Sequence, residues 1–208
     1  MTFKMLHDVS DYYSDKVIKH GCTPRGVDWN GIESQHIRFD QLMKVCGTAT
    51  EFSLGDFGCG YGALLDFLNI GTWKVEYKGF DIAELMLQKA RESHKSDNRT
   101  MFTSNSSDLA GVTYLVASGV FNVRLNHQDS EWNKYIKETL KEMDNLCTHG
   151  FAFNALTSYS DKEKMRDYLY YADPLELFDF CKRSFSKQVA LLHDYGLYEF
   201  TIIVKKQV

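Results

Sequence analysis

Only two prolines occur in the 208 residues of this chain, and no Gly/Ser/Pro-rich linker divides it. That argues against two tethered domains, and a single domain over residues 1–208 is expected, a length that suits one α/β core. Long apolar runs are missing too. No stretch approaches the ~20 apolar residues that span a bilayer, so no membrane partner is expected. Basic excess is also lacking: 24 Lys and Arg stand against 28 Asp and Glu, a net charge of −4. Phosphate contacts supply most nucleic-acid affinity, and no basic run here exceeds a pair such as Lys205-Lys206. Nucleic acid is therefore disfavoured as a partner. The five cysteines, Cys22, Cys46, Cys59, Cys147 and Cys181, form no CxxC pair, which argues against a zinc site or a redox motif. Their odd number, and the lack of a secretory signal in the opening residues, point to reduced thiols in the cytoplasm.

What is present is ordinary globular composition, 44% hydrophobic and 25% charged. Residues 1–48 read as a lead-in. Polar and aromatic residues mix over 1–30, with Gly21, Pro24 and Gly26 breaking regular structure, and Ile32, His36, Phe39 and Met43 then step at helical spacing. Residues 50–204 read as the core. Strand signals fall at 51–57, 74–80, 101–103, 114–117 and 150–156, and helical signals open at Ala63 and run over 83–93 and 130–147. The stretch 161–185 reads as helical, with Pro174 either starting a new helix or kinking the old one. Two β-rich runs, 189–193 and 198–204, end the pattern. The turn between them is too short for a parallel crossover, so they pair antiparallel. Alternating strands and helices imply a doubly wound, mainly parallel sheet of the α/β class.

The first core strand, Glu51–Phe57, stops in Gly58-Cys59-Gly60-Tyr61-Gly62 and hands over to a helix. Such a loop lets a ligand approach the main chain, and the helix N-terminus offers unpaired N–H groups to an anion. Asp81 ends the next strand beside that loop, where a carboxylate can accept hydrogen bonds from ribose hydroxyls. Taken singly, the glycines are explained by a tight turn and Asp81 by a helix N-cap. In strand–loop–helix–strand order they point to a nucleotide-type ligand. Gly58-Cys59-Gly60-Tyr61-Gly62-Ala63 also satisfies the dinucleotide pattern G-x-G-x-x-G/A, so the loop leaves two ligand classes open. Asp56, two residues before Gly58, favours S-adenosylmethionine, because an acidic group there suits a ligand carrying an ammonium and a sulfonium. The helical lead-in and the reversed final strand favour it as well.

Asp56-Phe57-Gly58-Cys59-Gly60-Tyr61-Gly62 resembles the first motif of class I S-adenosylmethionine-dependent methyltransferases, and Gly79-Phe80-Asp81-Ile82 resembles their second. The resemblance covers roughly residues 50–204. It implies a Rossmann-like seven-stranded sheet of order 3-2-1-4-5-7-6 with the seventh strand antiparallel. It further implies that the Gly58–Gly62 loop, Cys59 and Tyr61 included, cradles the methionine part of the cofactor with Asp56 near its amino group. Asp81, followed by Ile82, would hold the ribose. Ser107 or Asp108, after the third strand, would meet the adenine, and Ser118-Gly119, after the fourth, would line the methyl-transfer centre. An Asn-Pro-Pro-Tyr-type motif is absent there, which disfavours amide and base methylation.

Methyl transfer from a sulfonium needs mainly proximity and alignment, and a base only when the nucleophile must lose a proton. His193, at a strand end beside Asp194, and His127, in the loop after Asn122, are the candidate bases. No acidic cluster suggests a metal. Tyr12 and Trp29 in the lead-in, and Tyr171 before the last helix, are candidates for a lid over the acceptor. Arg25 and Arg38 are candidate anchors for a carboxylate or phosphate. The expectation is O- or N-methylation of a small-molecule or glycan acceptor by a monomer or homodimer. A noncatalytic S-adenosylmethionine-binding protein and an NAD-dependent oxidoreductase stand as alternatives.

Overall fold

The computed structural model describes residues 3–27, 31–95 and 97–207. Two helices, α1 (Phe3–His20) and α2 (Ile32–Met43), precede the core. There follow β1 (Glu51–Phe57), α3 (Ala63–Ile70), β2 (Lys74–Phe80), α4 (Glu84–Ser93), β3 (Thr100–Thr103) and β4 (Val112–Ala117). The chain continues through α5 (Asp129–Leu146), β5 (Cys147–Leu156), α6 (Pro174–Ser184), β6 (Gln188–Leu192) and β7 (Glu199–Lys205). The strands form one seven-stranded sheet in the order β3-β2-β1-β4-β5-β7-β6. β3, β2, β1, β4 and β5 pair in parallel, and β7 runs antiparallel to both neighbours. The expected Rossmann-like sheet with its reversed seventh strand is therefore present.

Side-chain alternation explains why both faces are covered. Successive strand residues point to opposite faces. On β4, Leu115 and Ala117 join one core layer while Val116 joins the other; on β7, Phe200, Ile202 and Val204 face one way and Ile203 the other. α5 packs on the first layer through Trp132, Tyr135, Ile136, Leu140 and Met143, an apolar stripe at three- and four-residue steps. α2 and α3 fill the second layer with Phe39, Leu42, Leu64, Leu65 and Leu68.

Two readings of local structure need correction. Residues 3–20, a part of the lead-in in which no defined helix was placed, form the 18-residue helix α1. Its buried residues Met5, Val9 and Val17 recur at multiples of four on an otherwise polar helix. Gly21 does not break this helix but ends it: at φ +68° its N–H donates to the Val17 carbonyl at 2.8 Å. Residues 161–173 are not helical beyond one short turn at Lys162–Lys164. Pro174 starts α6, capped by Asp173, whose carboxylate accepts the N–H groups of Leu175 and Glu176. Among the described residues, no helix is long and apolar enough to cross a membrane.

Candidate active site

β1 ends where the chain must turn at once under the carboxyl edge of the sheet. The N–H groups of Gly58 and Cys59 both donate to the Phe80 carbonyl, at 2.7 and 2.9 Å, which ties the glycine loop to the end of β2. Gly58 sits at φ +82°, and a Cβ there would lie 2.5 Å from the Val120 Cγ2. Gly62, at φ +90°, leads into α3, and a Cβ there would meet the His94 ring at 2.9 Å. Both positions thus need glycine for conformation and for space.

Two carboxylates frame the loop. Asp81 accepts the Gly60 N–H on Oδ2 and the Ala83 N–H on Oδ1, each at 2.8 Å. It thereby fixes the loop and the entry to α4 together, and each oxygen keeps a further lone pair for a ligand. Burial pushes its carboxyl upward, and the amides of Ala83 and Gly60 pull it back. Asp56 is buried at the end of β1 and receives the Tyr77 hydroxyl at 2.6 Å. Desolvation raises its pKa from 3.8 to about 7, opposed by the Tyr77 hydrogen bond and assisted by the charge of Asp81.

Three adjoining cavities open here. A small recess of ≈ 40 Å³ is lined by Asp56, Cys59, Tyr61 and Gln35, among others. It shares Val27, Gly58, Gly60 and Ser118 with a second recess of ≈ 90 Å³, lined further by Val9, Phe80, Asp81, Ile82, Met86, Gly119 and Tyr135. Neither recess has a Lys or Arg among its described lining residues. Ser118 and Gly119 are held from behind by the fully buried Asn154, whose Oδ1 accepts the Gly119 N–H at 2.7 Å. Tyr13 and Val27 form a wall common to the second recess and to a large cavity of ≈ 670 Å³. That cavity is lined by Lys16, His20, Arg25, Arg38, Lys164 and Arg166, by the phenols of Tyr168, Tyr171 and Tyr198, and by Glu199. At its base Arg38 and Glu199, both buried, form a bidentate pair with two N···O distances of 2.8 Å.

The residues named from the sequence divide between these features. Asp56, Gly58, Cys59, Gly60, Tyr61, Asp81, Ile82, Ser118 and Gly119 line the two recesses, and Gly62 forms the turn into α3. Ser107 and Asp108 line none of the three cavities. They occupy an exposed turn after β3, with Asp108 accepting the Thr103 hydroxyl at 2.6 Å. His193 and His127 also line none. His193 is exposed at the end of β6 against Tyr159, and His127 pairs with Asp8 of α1 at 3.1 Å. Tyr171 lines the large cavity. Tyr12 stands beside it, in edge contact with Tyr13 and 6.2 Å from Tyr168 between ring centroids. Trp29 lies outside the described residues. Sequence reading missed Val9, Lys16 and His20, all on α1. It also missed Met86, Tyr135, Lys164 and Arg166. The four-residue spacing Val9-Tyr13-Val17 was the available signal for α1.

No protein-family model matches the chain. It is 50% identical over 164 residues to Rv1506c, a candidate methyltransferase of Mycobacterium tuberculosis, an alignment spanning 79% of this chain and 99% of that protein. Among solved structures it is similar to magnesium protoporphyrin IX methyltransferase (ChlM) from Synechocystis PCC 6803 with bound SAM, at TM-score 0.65 and 15% identity over 97% of this chain and 96% of that one. It is also similar to DhpI in complex with SAH, at TM-score 0.68 and 10% identity over 98% and 97% of the two chains. With its strand order, its glycine loop and its half-identical methyltransferase relative, the chain belongs to the class I S-adenosylmethionine-dependent methyltransferases.

Proposed function

We propose that this protein transfers a methyl group to a hydroxyl or amine of a small-molecule or glycan acceptor seated in the large cavity. The observation that carries this reading is the common wall: Tyr13 and Val27 line both the Asp81 recess and a cavity of ≈ 670 Å³. Small-molecule sites are concave and of this size, about 300–1,000 Å³. Such an arrangement sets an acceptor site next to a donor site.

The residues around the glycine loop fit S-adenosylmethionine by their chemistry. Gly58 and Gly60 present main chain without side-chain bulk, Asp56 offers a buried carboxylate to an ammonium, and Asp81 keeps lone pairs for hydroxyl donors. The cofactor supplies an electrophilic methyl on a positively charged sulfur. Asp56 would hold its amino group, Asp81 its ribose, and Ile82, Met86 and Tyr135 the apolar faces beside it. Ser118 and Gly119, pinned by Asn154, would border the transfer point. Orientation of this kind contributes ~7–11 kcal/mol in favourable cases. Where the nucleophile must lose a proton, His20, on the wall of the large cavity, replaces His193 and His127 as the imidazole in reach.

Calorimetric titration with S-adenosylmethionine, S-adenosylhomocysteine and NAD tests the donor side, with Asp81→Ala as control and circular dichroism to verify folding. Adenosyl ligands are expected to bind and NAD not. Radiolabelled methyl transfer to a panel of hydroxyl- and amine-bearing metabolites and oligosaccharides tests the acceptor side. Selective NAD binding, or cofactor binding with no transfer across the panel, would count against the reading.

A further inference from the structure

The large cavity has a charge opposite to that of the chain. The protein carries a net charge of −4, yet the cavity draws Lys16, Arg25, Arg38, Lys164 and Arg166 to its wall against one carboxylate, Glu199. Arg38 already neutralises that carboxylate through both of its oxygens. Arg25 and Lys164 form no ion pair among the described residues, and Arg166 is held through Nη1 by the carbonyls of Met165 and Glu163 at 3.1 and 3.5 Å. Asp161, Glu163 and Asp167, on the same loop as Lys164, are not among the lining residues. The Tyr171 oxygen accepts the Arg166 N–H at 2.9 Å, which leaves its own O–H as a donor beside these cations.

The exposed side chains of Arg25, Lys164 and Arg166, brought from segments far apart in sequence to one concave wall, add their positive potentials at the cavity. The sequence holds no run of Lys and Arg longer than a pair that would extend this wall into a nucleic-acid track. We propose that the methyl acceptor is a small molecule bearing a carboxylate or phosphate group, which Arg25, Lys164 and Arg166 bind with help from the Tyr171 hydroxyl. This rests on the reading of the large cavity as the acceptor site. The planar arginine forks suit carboxylate and phosphate oxygens alike, while Lys164 contributes a point charge.

The test titrates inorganic pyrophosphate and citrate separately into the full chain saturated with S-adenosylhomocysteine, with sucrose as a neutral control. Saturable binding of one anion and none of sucrose is expected. The stronger of the two identifies phosphate or carboxylate as the recognised group. The triple variant Arg25→Gln/Lys164→Gln/Arg166→Gln should weaken anion binding by about tenfold or more while S-adenosylhomocysteine affinity stays within about twofold. Arg25→Lys/Arg166→Lys, which keeps the charge, should retain most of it. Failure of both anions to bind the cofactor-loaded chain overturns the proposal and leaves the methyltransferase reading intact. So does equal anion affinity in the triple variant, or tighter binding of a single-stranded oligonucleotide than of pyrophosphate. Absence of S-adenosylhomocysteine binding would instead remove the reading beneath it.

Discussion

The two sides of the Tyr13–Val27 wall are built by different means. On the donor side, main chain does the shaping: glycines in left-handed conformation, amides clamped by Asp81, and carboxylates without a Lys or Arg among the described lining residues. On the acceptor side, side chains do it. Arginines, lysines and tyrosines arrive from α1, from residue 25, from α2, from the loop before α6 and from Tyr198 just before β7. A backbone-built site is specified by a short run of residues and tolerates little change in it. A side-chain-built site is spread across the chain, and each member can be altered alone. The first suits a constant ligand and the second a variable one.

The largest expected effect probes the base of the acceptor side. Arg38→Ala leaves Glu199 buried without its partner, and loss of one member of a buried pair costs about 3–5 kcal/mol. Urea denaturation should show this. Arg38→Met/Glu199→Met should recover most of the stability, and failure to recover would mean that the pair does more than neutralise itself. Next comes Gly58→Ala, whose methyl would collide with Val120 in a backbone conformation that costs a side chain about 1–2 kcal/mol. Cofactor affinity should fall by about 30-fold or more, and an unchanged affinity would break the contrast between the two sides. Asp81→Asn replaces a charged acceptor by a neutral one at two amide contacts, and about tenfold weaker S-adenosylhomocysteine binding is expected.

A pH series sharpens the donor side further. Asp56, raised to about 7 by burial, must be ionised to receive an ammonium group. Cofactor affinity should therefore rise about tenfold from pH 6 to pH 8, and Asp56→Asn should flatten the profile. Tyr77→Phe removes the hydrogen bond that favours the carboxylate and should move the rise to higher pH. Stability takes the opposite sign. The folded chain holds this proton more tightly than the unfolded one, so the Asp56 contribution falls as pH rises from its ordinary 3.8 to about 7. The smallest effect is expected from His193→Ala. This residue is exposed and lines none of the three cavities, so kcat/KM should change by less than about twofold.

These contrasts explain which parts were legible beforehand. The motifs 56–62 and 79–82 are contiguous, and their spacing alone points to a strand, a glycine-rich turn and a second strand. The short link between residues 192 and 199 likewise dictates the antiparallel pairing of β6 and β7. The bounds of α1 were not legible, because its apolar stripe is narrow and charged residues of both signs are interspersed along it. Residues 161–173 carry charges at helical density but run past the cavity without repeating hydrogen bonds. His193 and His127 are histidines at chain positions near the correct sheet edge, yet adjacency to an edge does not set which way a side chain faces.

The sequence alone therefore determined the position of the glycine loop and the antiparallel final pair, because both depend on local spacing and backbone conformation, while the strand order and the cofactor class came with the resemblance of two short motifs to a known family. Only the tertiary structure decided that α1 lies over the carboxyl edge, that Arg38 meets Glu199 across 161 residues, and that basic residues from an acidic chain converge on one cavity. Those outcomes depend on long-range packing, which no short run of residues encodes.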